Sequence, residues 1–299
     1  MNEPSLTGSA TEFEAYCRTK AVPPGSVLHY SLLGQPLAQR RKLLGLYALE
    51  RELRGIVDDS RDPEVAQSKL VWWRQELRSL GRNQARHPVT QALSSWLRPQ
   101  DNPPLERMLG SWLDAIEHDL HYGTYSSFPQ LGEYCRPIGE SYVTLLVQSA
   151  GGQAGQNALF IHNLGIGWVL FERLLAVRQN ALHGRQYIPE DELARFQLTF
   201  SDLQKKQHTP GLQDLFAMQA QRIRGYFKAA EQQLPLAERY RQRHLLILLR
   251  LFSAQLSEIE ADGYRLLEQH LSLPPLRLLW IAFRVLQRER RYRNLQDSE

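Results

Sequence analysis

Three stretches bring together residue types that bind anions or metals, at spacings a helix can use. The first is Tyr47-Ala-Leu-Glu50-Arg51-Glu-Leu-Arg54-Gly-Ile-Val-Asp58-Asp59. Residues three or four apart share a helix face, so Arg51, Arg54 and Asp58 project together. Such a face makes ordinary ion pairs, each worth about 0–1 kcal/mol at a surface. It also suits an anionic ligand, because the planar guanidinium fork matches phosphate and carboxylate. The second stretch starts as the apolar run Leu164-Gly-Ile-Gly-Trp-Val-Leu-Phe171, then carries Glu172, Arg173, Arg178 and Asn180. It ends in His183-Gly184-Arg185-Gln-Tyr187-Ile-Pro189, where Gly184 suits a helix C-terminus and Pro189 can open the next helix. The third, Tyr134-Cys135-Arg-Pro-Ile-Gly139-Glu140-Ser-Tyr142, opens a long apolar helix in which the thiol reads as a buried core group. Glu117-His118-Asp119-Leu-His121 offers metal-ligand types as well, but no third ligand lies elsewhere, so it reads as a satisfied helix face.

The elements that must position these residues are helices nearly throughout. Val, Ile and Thr form no alternating runs, and no Asn-Gly or Asp-Gly hairpin signal occurs. Apolar stripes recur at three- and four-residue spacing: Leu43, Leu44, Tyr47, Leu49, Leu53 and Val57; Val65, Leu70, Trp73 and Leu77; Leu105, Met108, Leu109, Trp112, Leu113 and Ile116. Pro23-Pro24-Gly25, Pro103-Pro104, Gly151-Gly152, Pro210-Gly211 and Pro274-Pro275 punctuate them, and Asp62-Pro63 reads as an N-cap followed by proline at the first helical position. About ten to thirteen helices are expected. The reading is one all-α domain over 11–290, with a frayed N-terminus at 1–10 and a polar tail at 291–299.

Composition sets limits. In 299 residues, 42% hydrophobic and 23% charged describe a globular chain. Two cysteines, Cys17 and Cys135, exclude a disulfide scaffold and an all-cysteine zinc site, and a reducing cytoplasm is the expectation. The polar start, Met1 to Ala10, does not read as a secretory signal. The apolar run taken as the best candidate for a membrane span, Leu245 to Leu249, is closed by His244 and Arg250, so no span is expected. The net charge of +4 comes from dispersed basic residues without a nucleic-acid motif, so no nucleic-acid partner is expected. The segment Pro275 to Arg293 is amphipathic. Its apolar side, Leu276 to Leu286, is expected to pack on the bundle, and Arg288 to Arg293 to touch an anionic membrane peripherally, at its inner face.

Taken in order, the blocks resemble the squalene/phytoene synthase family. The residues are Pro24-Gly-Ser26 to Tyr30, Tyr47-Ala48, and Arg51 on to Asp58. They continue as Asp62-Pro-Glu-Val-Ala66, Lys69-Leu, Trp72-Trp73-Arg74 and His87-Pro-Val89. Last come Glu133-Tyr134-Cys135 and Gly184-Arg185-Gln-Tyr187-Ile-Pro189, with Asp191-Glu-Leu193 behind. The resemblance implies a single large helical bundle of the isoprenoid synthase type. It also implies head-to-head joining of two prenyl diphosphates, with Mg2+ held by aspartates four apart on two facing helices. Mg2+ takes oxygen ligands and neutralises the departing pyrophosphate.

This sequence departs from that pattern. Arg54-Gly55 stands where the family has its first acidic pair, and only Asp58 remains. In the second motif the aspartates fall on Ala176 and Asn180, and the family's asparagine falls on Glu172. A fixed cation at Arg54 repels a metal ion by about 4 kcal/mol per unit charge pair at about 4 Å and an effective dielectric of about 20. Asp58 alone is left as a metal ligand. The expectation is therefore a family member that has lost catalysis and needs no cofactor, binding an isoprenoid, a lipid or a protein partner. The Trp72-Trp73-Arg74 block and the missing aspartates look like a divergent branch that includes assembly factors of a membrane respiratory complex. The alternative is an active prenyltransferase with an unusual Mg2+ site. Candidate residues for binding substrate or anion are Tyr30, Tyr47, Arg51, Arg54, Tyr134, Arg173, Arg178, Arg185 and Tyr187.

Overall fold

The computed structural model describes residues 10–296 except 61, 81, 83, 99–101, 122 and 270, with side chains described from 12 to 293. Apart from its last residue, the N-terminal stretch expected to fray lies outside the described residues, as do 297–299 of the expected tail. The chain divides into two compact units, Met1–Leu120 and His121–Glu299. Both are all-α, and no strand occurs among the described residues.

The first unit holds α1 (Ala10–Ala21), α2 (Val27–Ser31), α3 (Leu37–Asp58), α4 (Pro63–Ser79), α5 (Pro88–Leu93) and α6 (Pro103–His121), whose last residue opens the second unit. Its core is α3 packed against α1 and α5. All six residues of the first predicted stripe, Leu43 to Val57, are buried. The second stripe holds at Leu70, Trp73 and Leu77, but Val65 is 47% exposed, because it sits in the first turn of α4. Asp62 caps that helix as its side chain accepts from Glu64 N–H at 2.9 Å. Glu117 accepts from Gln67 Nε2 at 3.1 Å and from Arg74 Nη2 at 2.7 Å, which makes it a tie between α6 and α4. Glu76, nearly buried, accepts from the N–H groups of Arg86 and His87 at 2.7 and 2.8 Å and from Thr90 Oγ1, holding the entry to α5.

The second unit holds α7 (Phe128–Ser149), α8 (Ala158–Leu175), α9 (Val177–Leu182), α10 (Glu190–Arg195), α11 (Phe200–Gln204), α12 (Pro210–Gln233), α13 (Leu236–Arg239), α14 (Arg243–Ala261) and α15 (Pro275–Gln296). Fifteen helices among the described residues exceed the expected count because α9, α10, α11 and α13 are only four to six residues long. Helix α8 is central, packed on both α7 and α12. Its approach to α7 depends on two glycines: a Cβ on Gly139 would stand 2.3 Å from the Gly165 carbonyl carbon. On the α12 side a Cβ on Gly167 would meet the Phe227 ring at 2.9 Å. Trp168, Phe171, Phe227 and Phe252 then interlock in edge-to-face, tilted and stacked pairs, at centroid distances of 4.7–6.0 Å.

Leu245–Leu249 is not the longest apolar stretch. The segment Gly155–Leu175, which includes α8, has the length and composition to cross a membrane. Two-thirds of that window is buried inside the unit, which accounts for its apolarity as core.

Candidate functional site

Helix α3 presents the first motif. Arg54 lies one turn from an acid on either side, its Nε 3.4 Å from Glu50 Oε1 and 3.7 Å from Asp58 Oδ2. All three side chains are largely covered, at 11–21% exposure. The guanidinium thus neutralises Asp58 and puts a donor where the family resemblance leads one to expect a carboxylate. Glu52 is engaged elsewhere, accepting from Tyr16 O–H at 2.7 Å and pairing with Lys20 at 3.1 Å. Tyr47 is fully buried, its hydroxyl 2.9 Å from that of Ser31. It is a core tie between α3 and α2 rather than a group presented to a ligand, and burial pushes its phenol upward. Tyr30 is half-buried, edge-on to His29 at 5.4 Å. Arg51 is half-buried, with no acid in pairing distance among the described residues.

The second motif lies where α8 ends. The helix breaks at Ala176 (φ −97°, ψ 14°), and α9 starts at once. Ala176 brings no ligand atom to this turn. Asn180 is nearly buried and donates from Nδ2 to the Arg173 carbonyl at 3.4 Å, while its own carbonyl accepts from Arg185 N–H at 2.9 Å. Its side chain closes the break between the two helices. Glu172 is half-buried one turn before Ala176.

Arg173 turns the other way, into an aromatic cage. It is 8% exposed, donates from Nη2 to Tyr134 O–H oxygen at 2.7 Å, and lies 4.3 Å over the Tyr187 ring. Tyr134 and Tyr187 stack at 5.6 Å, and Tyr125 leans on both at 5.4 and 6.1 Å. The loop holding Tyr187 is fastened by Gln186 N–H to the Gly123 carbonyl at 2.7 Å and by Glu190 N–H to the Tyr125 carbonyl at 3.0 Å. Gly184, at φ +77°, makes the turn that starts it. The structure therefore brings together Tyr134, Arg173 and Tyr187 from the sequence candidates and adds Tyr125. That residue lies in a loop with no periodicity to reveal it. Arg178 and Arg185 are half-buried beside this loop, and the Nε of Arg178 is buried without a hydrogen-bond partner among the described residues. Glu140 on α7 meets His162 Nδ1 on α8 at 2.7 Å.

These residues do not fit a Mg2+ cluster. On α3 a guanidinium already engages Asp58, and at the end of α8 one position is a methyl group and the other a neutral amide turned to the backbone. Among the described residues, no group of three or more His, Cys, Asp or Glu could hold a metal ion.

Comparison with known proteins defines the class. The family model of squalene/phytoene synthase matches residues 26–277, and the chain belongs to that family. It is 26% identical to a 15-cis-phytoene synthase of Synechocystis over 295 aligned residues, covering 93% of this chain and 86% of that one. It is 25% identical to a phytoene synthase of Arthrospira platensis, covering 91% and 92%. The fold matches a dehydrosqualene synthase crystallised with a ligand, with a TM-score of 0.73 at 19% identity over 95% of this chain and 98% of that one. It also matches the squalene synthase HpnC of Alicyclobacillus acidocaldarius, with a TM-score of 0.69 at 20% identity over 85% and 95%. The all-α isoprenoid synthase fold follows.

Proposed function

We propose that this chain binds an isoprenoid or related lipid without transferring a prenyl group. The observation behind this reading is Arg54 seated between Glu50 and Asp58. Ionising a prenyl diphosphate requires positive charge that follows the leaving group, which the family obtains from metal ions held by carboxylates. Here the first motif holds a fixed guanidinium already shared between two acids, and the second holds Ala176 and Asn180. Nothing in either arrangement gathers a divalent cation. What persists is binding chemistry. Arg178 in the second unit and Arg51 in the first have no acid beside them among the described residues, and each can meet an anionic head group. Arg173 occupies the tyrosine cage as an internal cation and keeps Tyr134 and Tyr187 in register.

Geranylgeranyl diphosphate titrated into the protein with EDTA present tests the reading. Metal-independent binding, weakened severalfold by Arg178→Ala, is expected. Binding that appears only on adding Mg2+ would show a metal site and contradict it. Absence of binding under both conditions would move the role to a protein partner, including a membrane respiratory complex.

A further inference from the structure

Helix α15 has two apolar faces, and only one is covered. Leu278, Ala282, Val285 and Leu286 are buried, and helix α14 packs against α15. On the opposite side Leu276, Leu279, Trp280 and Phe283 are 80%, 46%, 56% and 53% exposed. Their spacing of i, i+3, i+4 and i+7 puts them on one continuous face. One and two turns further along, the same face carries Arg284, Arg290 and Arg291, all exposed. No acid lies within pairing distance of these three among the described residues. The one acid of α15 in that set, Glu289, is fully buried and held by Arg239 at 2.9 and 3.0 Å. Beside the basic end, a groove of about 760 Å³ opens between α15 and α14. Trp280, Tyr292, Arg250, Arg284, Arg288 and Arg291 line it.

We infer that this outer face of α15 docks on a bilayer containing anionic lipid. Leu276, Leu279, Trp280 and Phe283 enter the boundary between head groups and acyl chains. Arg284 and Arg291 take lipid phosphates at the groove. The charge pattern selects this occupant. Large apolar side chains followed by cations, without an exposed acid among them, match a surface that is apolar below and uniformly negative above. Tryptophan is at home at that depth, since its ring is apolar and its N–H is polar. The face spans most of α15, so the contact reaches well N-terminal of the Arg288–Arg293 cluster that sequence alone suggests. The inference rests on α15 and α14 alone and stands whether or not the chain transfers a prenyl group.

Cosedimentation of the full chain with vesicles tests it, comparing phosphatidylcholine alone with an equal mixture of phosphatidylcholine and phosphatidylglycerol. Binding to the anionic vesicles and little to the neutral ones is expected, falling as salt rises. A cation near such a surface contributes about fivefold to partitioning, so R284E/R291E should weaken binding by at least about twentyfold. W280S/F283S should weaken it too, with circular dichroism unchanged because both side chains are exposed. The neutral pair R284Q/R291Q repeats the charge test more gently if reversal perturbs the fold. Equal binding to both vesicle types, no binding to either, or variants that bind like the parent would overturn the inference. So would a dimer that W280S/F283S dissolves in a protein that ignores vesicles, because the face would then belong to a second copy.

Discussion

The Nε of Arg54 lies 3.7 Å from Asp58 Oδ2, one helical turn away, and 3.4 Å from Glu50 Oε1, one turn the other way. A cation placed midway between two acids on one helix face satisfies both without leaving α3. It also fixes positive charge at a position where the family resemblance leads one to expect a metal-binding carboxylate.

Charge at that position should decide metal affinity. R54D would place three carboxylates one turn apart on α3. We expect Mg2+ to raise the thermal midpoint of R54D by a few degrees while leaving the parent unchanged, since a ligand that binds only the native state stabilises it. A parent protein stabilised by Mg2+ as much as the variant would contradict the geometry. Arg54→Ala strands two largely covered acids as well as losing the ion pairs, so it should cost more than an exposed pair would, about 1–3 kcal/mol in urea denaturation.

Arg173 should matter more to the fold. It is nearly buried, bonded to Tyr134 and stacked on Tyr187. Arg173→Met removes a charge-assisted hydrogen bond and a cation–π contact, together about 2–4 kcal/mol. Arg173→Lys keeps the charge but loses the planar stack, so it should recover only part of that. Urea midpoints in the order parent, lysine, methionine are expected.

The crossing of α7 and α8 has no room for a methyl group. Gly139→Ala and Gly165→Ala each press a Cβ against the opposite backbone, at 2.3 and 2.5 Å. A cost of about 1–3 kcal/mol or more is expected for each, or about 2–4 °C in thermal midpoint per kcal/mol. Gly110→Ala, in the interior of α6 with nothing near its Cβ, is the control and should lose no stability, gaining up to about 1 kcal/mol from helix propensity.

His244 links stability to pH. It is fully buried, and desolvation, with Arg243 beside it, lowers its pKa from 6.5 to about 3. Only the neutral ring suits the folded state, so its contribution is complete above about pH 6.5. It shrinks as pH falls, because the unfolded chain then binds a proton that the folded chain refuses. Between those values the slope from this residue approaches about 1.4 kcal/mol per pH unit. His244→Leu should flatten the pH dependence of urea unfolding over that window. An unchanged slope would place the proton elsewhere.

Sequence pattern made much of this fold legible. The Leu43–Val57 stripe is the buried side of α3, and the Asp62–Pro63 cap and the Gly184 turn stand where residue type alone put them. The Glu50–Arg54–Asp58 ladder was readable too, since it depends only on helical spacing. Contacts between distant segments were not. Glu140 finds His162 because α7 and α8 cross closely at Gly139 and Gly165, a meeting that no local pattern reports. Tyr47 looked like a ligand contact but is buried against Ser31, because its own helix turns it inward. Tyr125 joins the cage from a loop. In α15, periodicity implied one apolar face packed on the bundle, whereas half of those residues face outward.

The most direct test of the central claim is diphosphate release by the purified protein. Farnesyl and geranylgeranyl diphosphates would be supplied with Mg2+ or Mn2+ and NADPH, beside an active phytoene synthase. The account predicts no release above a heat-killed control. Release with formation of a C30 or C40 product, abolished by Asp58→Ala, would contradict it and make Asp58, Glu172 and Asn180 a sufficient ligand set.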